Sequence, residues 1–125
     1  MTEVEGSDEP EIQVISIAWH PIRQFLAVGY ETGQLVLWNH EEGESFEGIR
    51  SHHSEVVMLE WSNCGNFLTS GDSMGLLIVW KCDSQGNLQT EAVHDLKDPA
   101  CSVIFIKQSD NDKSDERLVF CWVYT

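Results

Sequence analysis

Phe67-Leu-Thr-Ser-Gly-Asp-Ser-Met-Gly-Leu-Leu-Ile-Val-Trp80 is the second writing of a pattern that first occurs as Phe25-Leu-Ala-Val-Gly-Tyr-Glu-Thr-Gly-Gln-Leu-Val-Leu-Trp38. The two stretches align without a gap at an offset of 42 residues. Phe25, Leu26, Gly29, Gly33, Leu35 and Trp38 return as Phe67, Leu68, Gly71, Gly75, Leu77 and Trp80. Moving outward, Trp19 returns as Trp61, Val14 as Val56 and His52 as His94, which makes nine identities at one offset. A fixed period of this size means one supersecondary unit per repeat, each stacked on the next.

The local chemistry of each unit is that of strands and tight turns. Val14-Ile-Ser-Ile-Ala-Trp19 alternates, with Ile15, Ile17 and Trp19 on one face expected to be buried. His20-Pro21-Ile22-Arg23 breaks it, because proline cannot donate to a ladder. Phe25 to Val28 is a continuous apolar run suited to a strand covered on both sides. Gly29-Tyr-Glu-Thr-Gly33 turns the chain, and Gln34 to Trp38 returns antiparallel. The second unit copies the plan with strands at 56–61, 67–70 and 76–80. Weaker outer strands are expected around 44–49 and 88–93, polar because an edge faces water.

A third unit starts at Cys101-Ser-Val-Ile-Phe105, now at an offset of 44, and continues with Leu118-Val-Phe-Cys-Trp122. The fold class expected is all-β: two four-stranded antiparallel blades of a β-propeller and part of a third. The organisation expected is an acidic tail over 1–13, blades over 14–54 and 55–99, and a partial blade over 100–125 with an acidic loop at 109–116. An incomplete ring leaves apolar sheet faces open, so the chain reads as part of a longer scaffold, or else as a unit that closes by self-association.

Composition narrows the partners. The chain has 125 residues, is 42% hydrophobic and carries a net charge of −14. Glu3, Glu5, Asp8, Glu9 and Glu11 crowd the first eleven residues and read as a solvated terminus. The remaining surface is still acidic, which disfavours phosphate backbones and anionic membranes as partners. The longest apolar run, Leu76 to Trp80, is far too short to span a bilayer, and no secretory signal opens the chain. A cytoplasmic location is the expectation. Cys64, Cys82, Cys101 and Cys121 lie 18 to 20 residues apart with no close pair, as expected of reduced thiols and not of a zinc site.

These residues resemble WD40 repeats. That family places His before the first strand, Trp or Phe at its end, Ser-Gly after the second strand, Asp-Gly in the next turn and Trp-Asp at the close of the third. The second unit matches with His52, Trp61, Ser70-Gly71, Met74-Gly75 and Trp80-Lys81, and the first with Trp19, Val28-Gly29, Thr32-Gly33 and Trp38-Asn39. The resemblance assigns structural roles to Trp19, Gly29, Gly33, Trp38, His52, Trp61, Ser70, Gly71, Gly75 and Trp80. In WD40 blades His, Ser, Asp and Trp form a stiffening tetrad. With Thr32 and Met74 in the turn where aspartate is expected, the tetrad is expected to be incomplete here.

The phrases Ala18-Trp-His-Pro-Ile-Arg, Leu26-Ala-Val-Gly-Tyr-Glu-Thr-Gly and Leu59-Glu-Trp-Ser-Asn-Cys-Gly-Asn resemble, more specifically, the N-terminal blades of a large WD40 subunit of intraflagellar transport complex A. The resemblance implies a non-catalytic interaction scaffold in retrograde ciliary transport and cilium assembly. It implies other complex A subunits as partners and the cytoplasm, ciliary base and axoneme as location. A WD40 adaptor of a vesicle coat or chromatin complex is the alternative within the fold class.

A small enzyme with a cysteine or metal site is the alternative outside it. No G-x-S-x-G elbow, phosphate-cradling loop or HExxH is present. The glycines recur because each turn needs them, and the tryptophans recur at packing positions. His52 and His53 are neighbours and point apart in extended chain, while His20, His40 and His94 are expected in turns or loops, so no metal or other cofactor is expected.

Overall fold

The computed structural model describes residues 11–41, 43–47, 52–107 and 116–123. The expected acidic tail, apart from Glu11 to Gln13, and the acidic loop at 109–116, apart from Glu116, lie outside the described residues.

Among the described residues ten strands follow one another: β1 (Val14–Trp19), β2 (Phe25–Tyr30), β3 (Leu35–Asn39), β4 (Glu44–Glu47), β5 (Val56–Trp61), β6 (Phe67–Asp72), β7 (Leu76–Cys82), β8 (Leu88–Asp95), β9 (Ala100–Lys107) and β10 (Glu116–Val123). They pair as two four-stranded sheets, β1-β2-β3-β4 and β5-β6-β7-β8, and a two-stranded sheet of β9 and β10. Every pairing is antiparallel between chain neighbours, as short glycine turns require. The repeat extends to irregularities: the ladder shifts after Val14 in β1 and after Val56 in β5, 42 residues later.

The first two sheets stack face to face, with β5 against β1 and β2, and β9 packs in turn against β5 and β6. Phe25, Ala27, Leu35 and Leu37 of the first sheet meet Val56, Leu59, Leu68, Ile78, Trp80 and Cys82 of the second in one buried cluster. Strand alternation sends Met58, Leu77 and Val79 to the opposite face of the second sheet, where Phe67, Ala92 and Leu96 join them. The second sheet is therefore apolar on both faces, which explains why β7 reads as an unbroken hydrophobic run.

Period two in β1 misleads about burial. Ser16 and Ala18 face the second sheet, and the larger Ile17 and Trp19 point away from it, both more than half exposed. Trp38 shares that open side at 44% exposure, because its neighbours Leu35 and Leu37 take the packed side of β3.

Thr69 sits at the centre of β6, fully buried, and its hydroxyl has no hydrogen-bond partner among the described residues. An unpartnered buried hydroxyl costs about 1–3 kcal/mol of desolvation. Thr69→Val keeps the shape and β-branching and removes that cost. The expected result is a stability gain of about 1 kcal/mol, read as a higher denaturant midpoint at unchanged slope. A loss would show that the hydroxyl is bonded.

Candidate functional site

The polar centre of the molecule lies inside the second sheet, among residues that are 0–2% exposed. His52, just ahead of β5, places Nδ1 2.8 Å from Asp72 Oδ2 and Nε2 2.7 Å from Ser70 Oγ. Trp80 Nε1 donates to the same Ser70 Oγ at 2.8 Å. Counting donors assigns the protons. Trp80 donates to Ser70, Ser70 donates its one hydroxyl proton to His52 Nε2, and His52 donates Nδ1–H to the Asp72 carboxylate. The imidazole is neutral in this chain of bonds. Burial pushes its pKa below the ordinary histidine value and outweighs the opposing pull of Asp72, with His53 adding to the lowering.

This is a complete Trp–Ser–His–Asp tetrad, and it corrects the expectation that the second unit lacks one. The carboxylate comes from Asp72, at the end of β6, and not from position 74, where Met74 projects 70% exposed. Asp72 also caps the turn: its Oδ1 accepts from Met74 N at 2.9 Å and Leu76 N at 3.0 Å. An aspartate that takes the N–H two residues on is a known turn former. That signal is readable in Asp72-Ser-Met-Gly75 without any family pattern.

The first unit has no counterpart. Forty-two residues before His52, Ser70 and Asp72 stand Pro10, Val28 and Tyr30. The match of His52 with His94 is likewise an accident of offset. His94 lies exposed within β8 opposite Leu77. At the offset of 44 that applies to the third unit, Leu96 takes the corresponding place, bonding Gly75 O through its backbone N at 2.9 Å.

Ser70, His52 and Asp72 have the donor order of a nucleophilic triad, but no substrate reaches a hydroxyl at 0% exposure. What the arrangement does is tie the segment before β5 to β6 and β7. The stability it gives depends on pH. The folded pKa of His52 lies below the unfolded value, so the contribution is present above about 6.5 and is lost as pH falls towards the folded value. The midpoint of denaturant unfolding is expected to drop between pH 7.5 and 5, and His52→Gln to flatten the part of that slope due to His52.

The other expected positions fall into two groups. Gly33 and Gly75 turn the chain at φ of 91° and 98°, a region that L side chains avoid. At Gly75 a Cβ would also meet the backbone of Lys97 and Asp98 at 2.7 Å, and at Gly33 it would strike the backbone of His52. Gly29 lies against Ser16 and Val56, and Gly71 against Met58 and Leu77. Trp61 reaches across the stack, its Nε1 donating to Ala18 O at 3.0 Å, beside the bond from Ser16 Oγ to Val56 O at 2.7 Å. Trp19 and Trp38 occupy the equivalent places in the first sheet but point outward. With Leu26, Asn39, His40 and Gly43 they line an open, mainly apolar groove of about 360 Å³.

Of the cysteines described, Cys64 is half-buried in the β5–β6 loop. Cys82 is buried at the end of β7, and desolvation, with help from the Asp83 carboxylate, pushes its thiol up to about 12. A thiol so held is a poor nucleophile at neutral pH. Among the described residues no three His, Cys, Asp or Glu side chains gather as a metal site.

The family profile described as "IFT140 first beta-propeller" matches residues 4–119. No curated protein is matched. Solved structures are similar in fold. The Cps50 (Swd1) β-propeller domain of Myceliophteria thermophila superposes with a TM-score of 0.64 at 21% identity, over 77% of this chain and 30% of that one. The WD40 repeats of RRP9 give 0.65 at 19% identity, over 82% and 31%. A chain of a mitotic checkpoint complex gives 0.57 at 20%, over 75% and 29%. The present chain thus spans about a third of the structures it matches.

Proposed function

The chain belongs to the family of IFT140 first β-propellers, and from that premise we propose that it is a non-catalytic protein-interaction segment of an intraflagellar transport complex A subunit. On this reading it serves retrograde ciliary transport and cilium assembly. Its partners are other complex A subunits, and it resides in the cytoplasm, at the ciliary base and along the axoneme. The observation that carries the reading is the family match, which runs through both four-stranded sheets and into the third.

The physical features of the molecule support a binding role. Its polar cluster is sealed inside a sheet, and the Cys82 thiol is buried with its pKa pushed up. Among the described residues the open surfaces include loop tips and an apolar sheet face. Stacked blades present loops from rigid sheets, which is how propellers make contacts. Of the structural positions named above, those that are buried keep that scaffold stiff, while Trp19 and Trp38 lie on the open face.

Affinity purification of the tagged chain from ciliated cells tests the proposal. Co-recovery of other complex A subunits, and loss of that recovery when the second blade is destabilised by Asp72→Ala, is the expected result. Recovery of coat or chromatin subunits without any complex A subunit would overturn it in favour of another WD40 adaptor.

A further inference from the structure

The loop between β1 and β2 carries a histidine whose bonds reach in two directions. His20 Nδ1 accepts from the backbone N–H of Ile22 at 3.1 Å and of Arg23 at 3.0 Å, closing its own turn. On the far side of the ring, Nε2 lies 3.0 Å from Gly65 O in the β5–β6 loop of the second sheet. A nitrogen that accepts two N–H groups holds no proton. The single imidazole proton therefore sits on Nε2 and is donated to Gly65 O.

The ring is clamped edge-on against two aromatic side chains, 5.4 Å from Phe25 of β2 and 4.7 Å from Trp61 of β5. Position 65 is glycine because a Cβ there would strike the imidazole. The equivalent residue of the second unit is Ser62, whose hydroxyl bonds Phe67 N within its own turn. A hydroxyl there does not titrate; the imidazole at the junction of the sheets does.

We propose that His20 is an acid-sensitive clip of the β1–β2 loop at the junction of the two blades: neutral, it holds the Ile22 and Arg23 amides at Nδ1 while Nε2–H donates to Gly65 O, and a proton added at Nδ1 releases the two amides. Protonation turns Nδ1 from an acceptor into a donor that faces two donors. The Ile22 and Arg23 bonds are then lost and the loop loses the tie that closes its turn, while Nε2–H goes on donating to Gly65 O.

The surroundings favour the neutral form. Burial pushes the pKa of His20 down, the Gly65 carbonyl opposes this, and the Arg23 guanidinium adds to the lowering. Cys64 of the β5–β6 loop, and Cys82 and Asp83 at the end of β7, line the same cleft. Glu60 lies in the neighbouring cleft with Trp19 and Pro21. Phe25 and Trp61, which touch the ring, do not titrate. The release is therefore expected below the ordinary histidine range, as the pH falls from about 6.5 towards the lowered folded value.

The test is a pH titration of the full chain by nuclear magnetic resonance. It follows the His20 ring nitrogens and the amide protection of Ile22 and Arg23. The Gln85 and Asn87 amides, held by Asp83 outside the His52 network, serve as internal reference. At neutral pH, Nδ1 is expected to show the shift of an unprotonated nitrogen. On acidification the Ile22 and Arg23 amides are expected to lose at least tenfold in protection in step with Nδ1, ahead of the reference pair. His20→Ser, which copies position 62, is expected to abolish that step.

Two results would overturn the proposal. One is an Nδ1 already protonated at neutral pH. The other is an acid transition of the Ile22 and Arg23 amides that persists in the serine variant or is absent from the native chain. Should the serine variant not fold, the native titration decides alone. A ring that titrates without loss of the two amides refutes the clip.

Discussion

Asp72→Ala is expected to cost about 3–5 kcal/mol, because several hydrogen bonds lose their acceptor at once at about 1–3 kcal/mol each. Three donors converge on this carboxylate. His52 Nδ1–H loses its only described acceptor, and the Met74 and Leu76 amides lose their cap. With His52 unanchored, the Ser70 hydroxyl and the Trp80 indole lose the end of their chain. Each buried group left unsatisfied costs about 1–3 kcal/mol. Partial relaxation of the exposed turn, where Met74 already meets water, keeps the total below their sum.

Asp72→Asn is expected to cost less. Its carbonyl still caps the turn, and the tetrad survives if His52 changes tautomer. The informative variant is Asp72→Ser with Met74→Asp, which moves the carboxylate to the place the WD40 pattern gives it. Recovery of most of the lost stability in urea unfolding is expected. No recovery would show that the backbone at position 72, and not the carboxylate alone, sets the geometry.

Phe25→Ala is expected to cost about 3–5 kcal/mol, the range for emptying a large aromatic site in a core. Phe25 is 1% exposed, lies in the cluster between the two sheets and touches the ring of His20. The cavity opens between sheets, so the stack itself loosens. Trp38→Phe is the contrast. Trp38 repeats Trp80 in sequence, but at 44% exposure it is expected to tolerate the change within about 1 kcal/mol. Trp80→Phe removes the donor to Ser70 from a buried site and is expected to cost more. Unfolding midpoints of the three variants measure this ranking. Equal costs at positions 38 and 80 would mean that the open face of the first sheet is covered in solution.

Much of the fold was legible because turns and strands are encoded locally. Gly33 and Gly75, the apolar runs and the 42-residue offset sufficed to place strands and antiparallel returns, since each depends on neighbours in sequence. The tetrad was half legible. The repeat pattern points to His52, Ser70 and Trp80, but it puts the aspartate at position 74 and not at Asp72. Which of two nearby side chains reaches an imidazole twenty residues away is a matter of backbone path and not of spacing. His94 matches His52 without sharing its place for a related reason: two residues inserted before the third unit shift the alignment, and identity at a fixed offset does not register that.

The sequence by itself determined that this chain is made of repeated antiparallel blades of the WD40 kind, because hydrophobic period and turn glycines act over a few residues. Only the tertiary structure decided what those repeats are worth. It separated Trp80 and Trp61, which are buried or bonded across the stack, from Trp38 and Trp19, which are not. It joined Asp72 to His52 and His20 to Gly65. Those outcomes depend on which sheet lies against which face, and a repeat writes the same residues on both sides of a boundary that only packing defines.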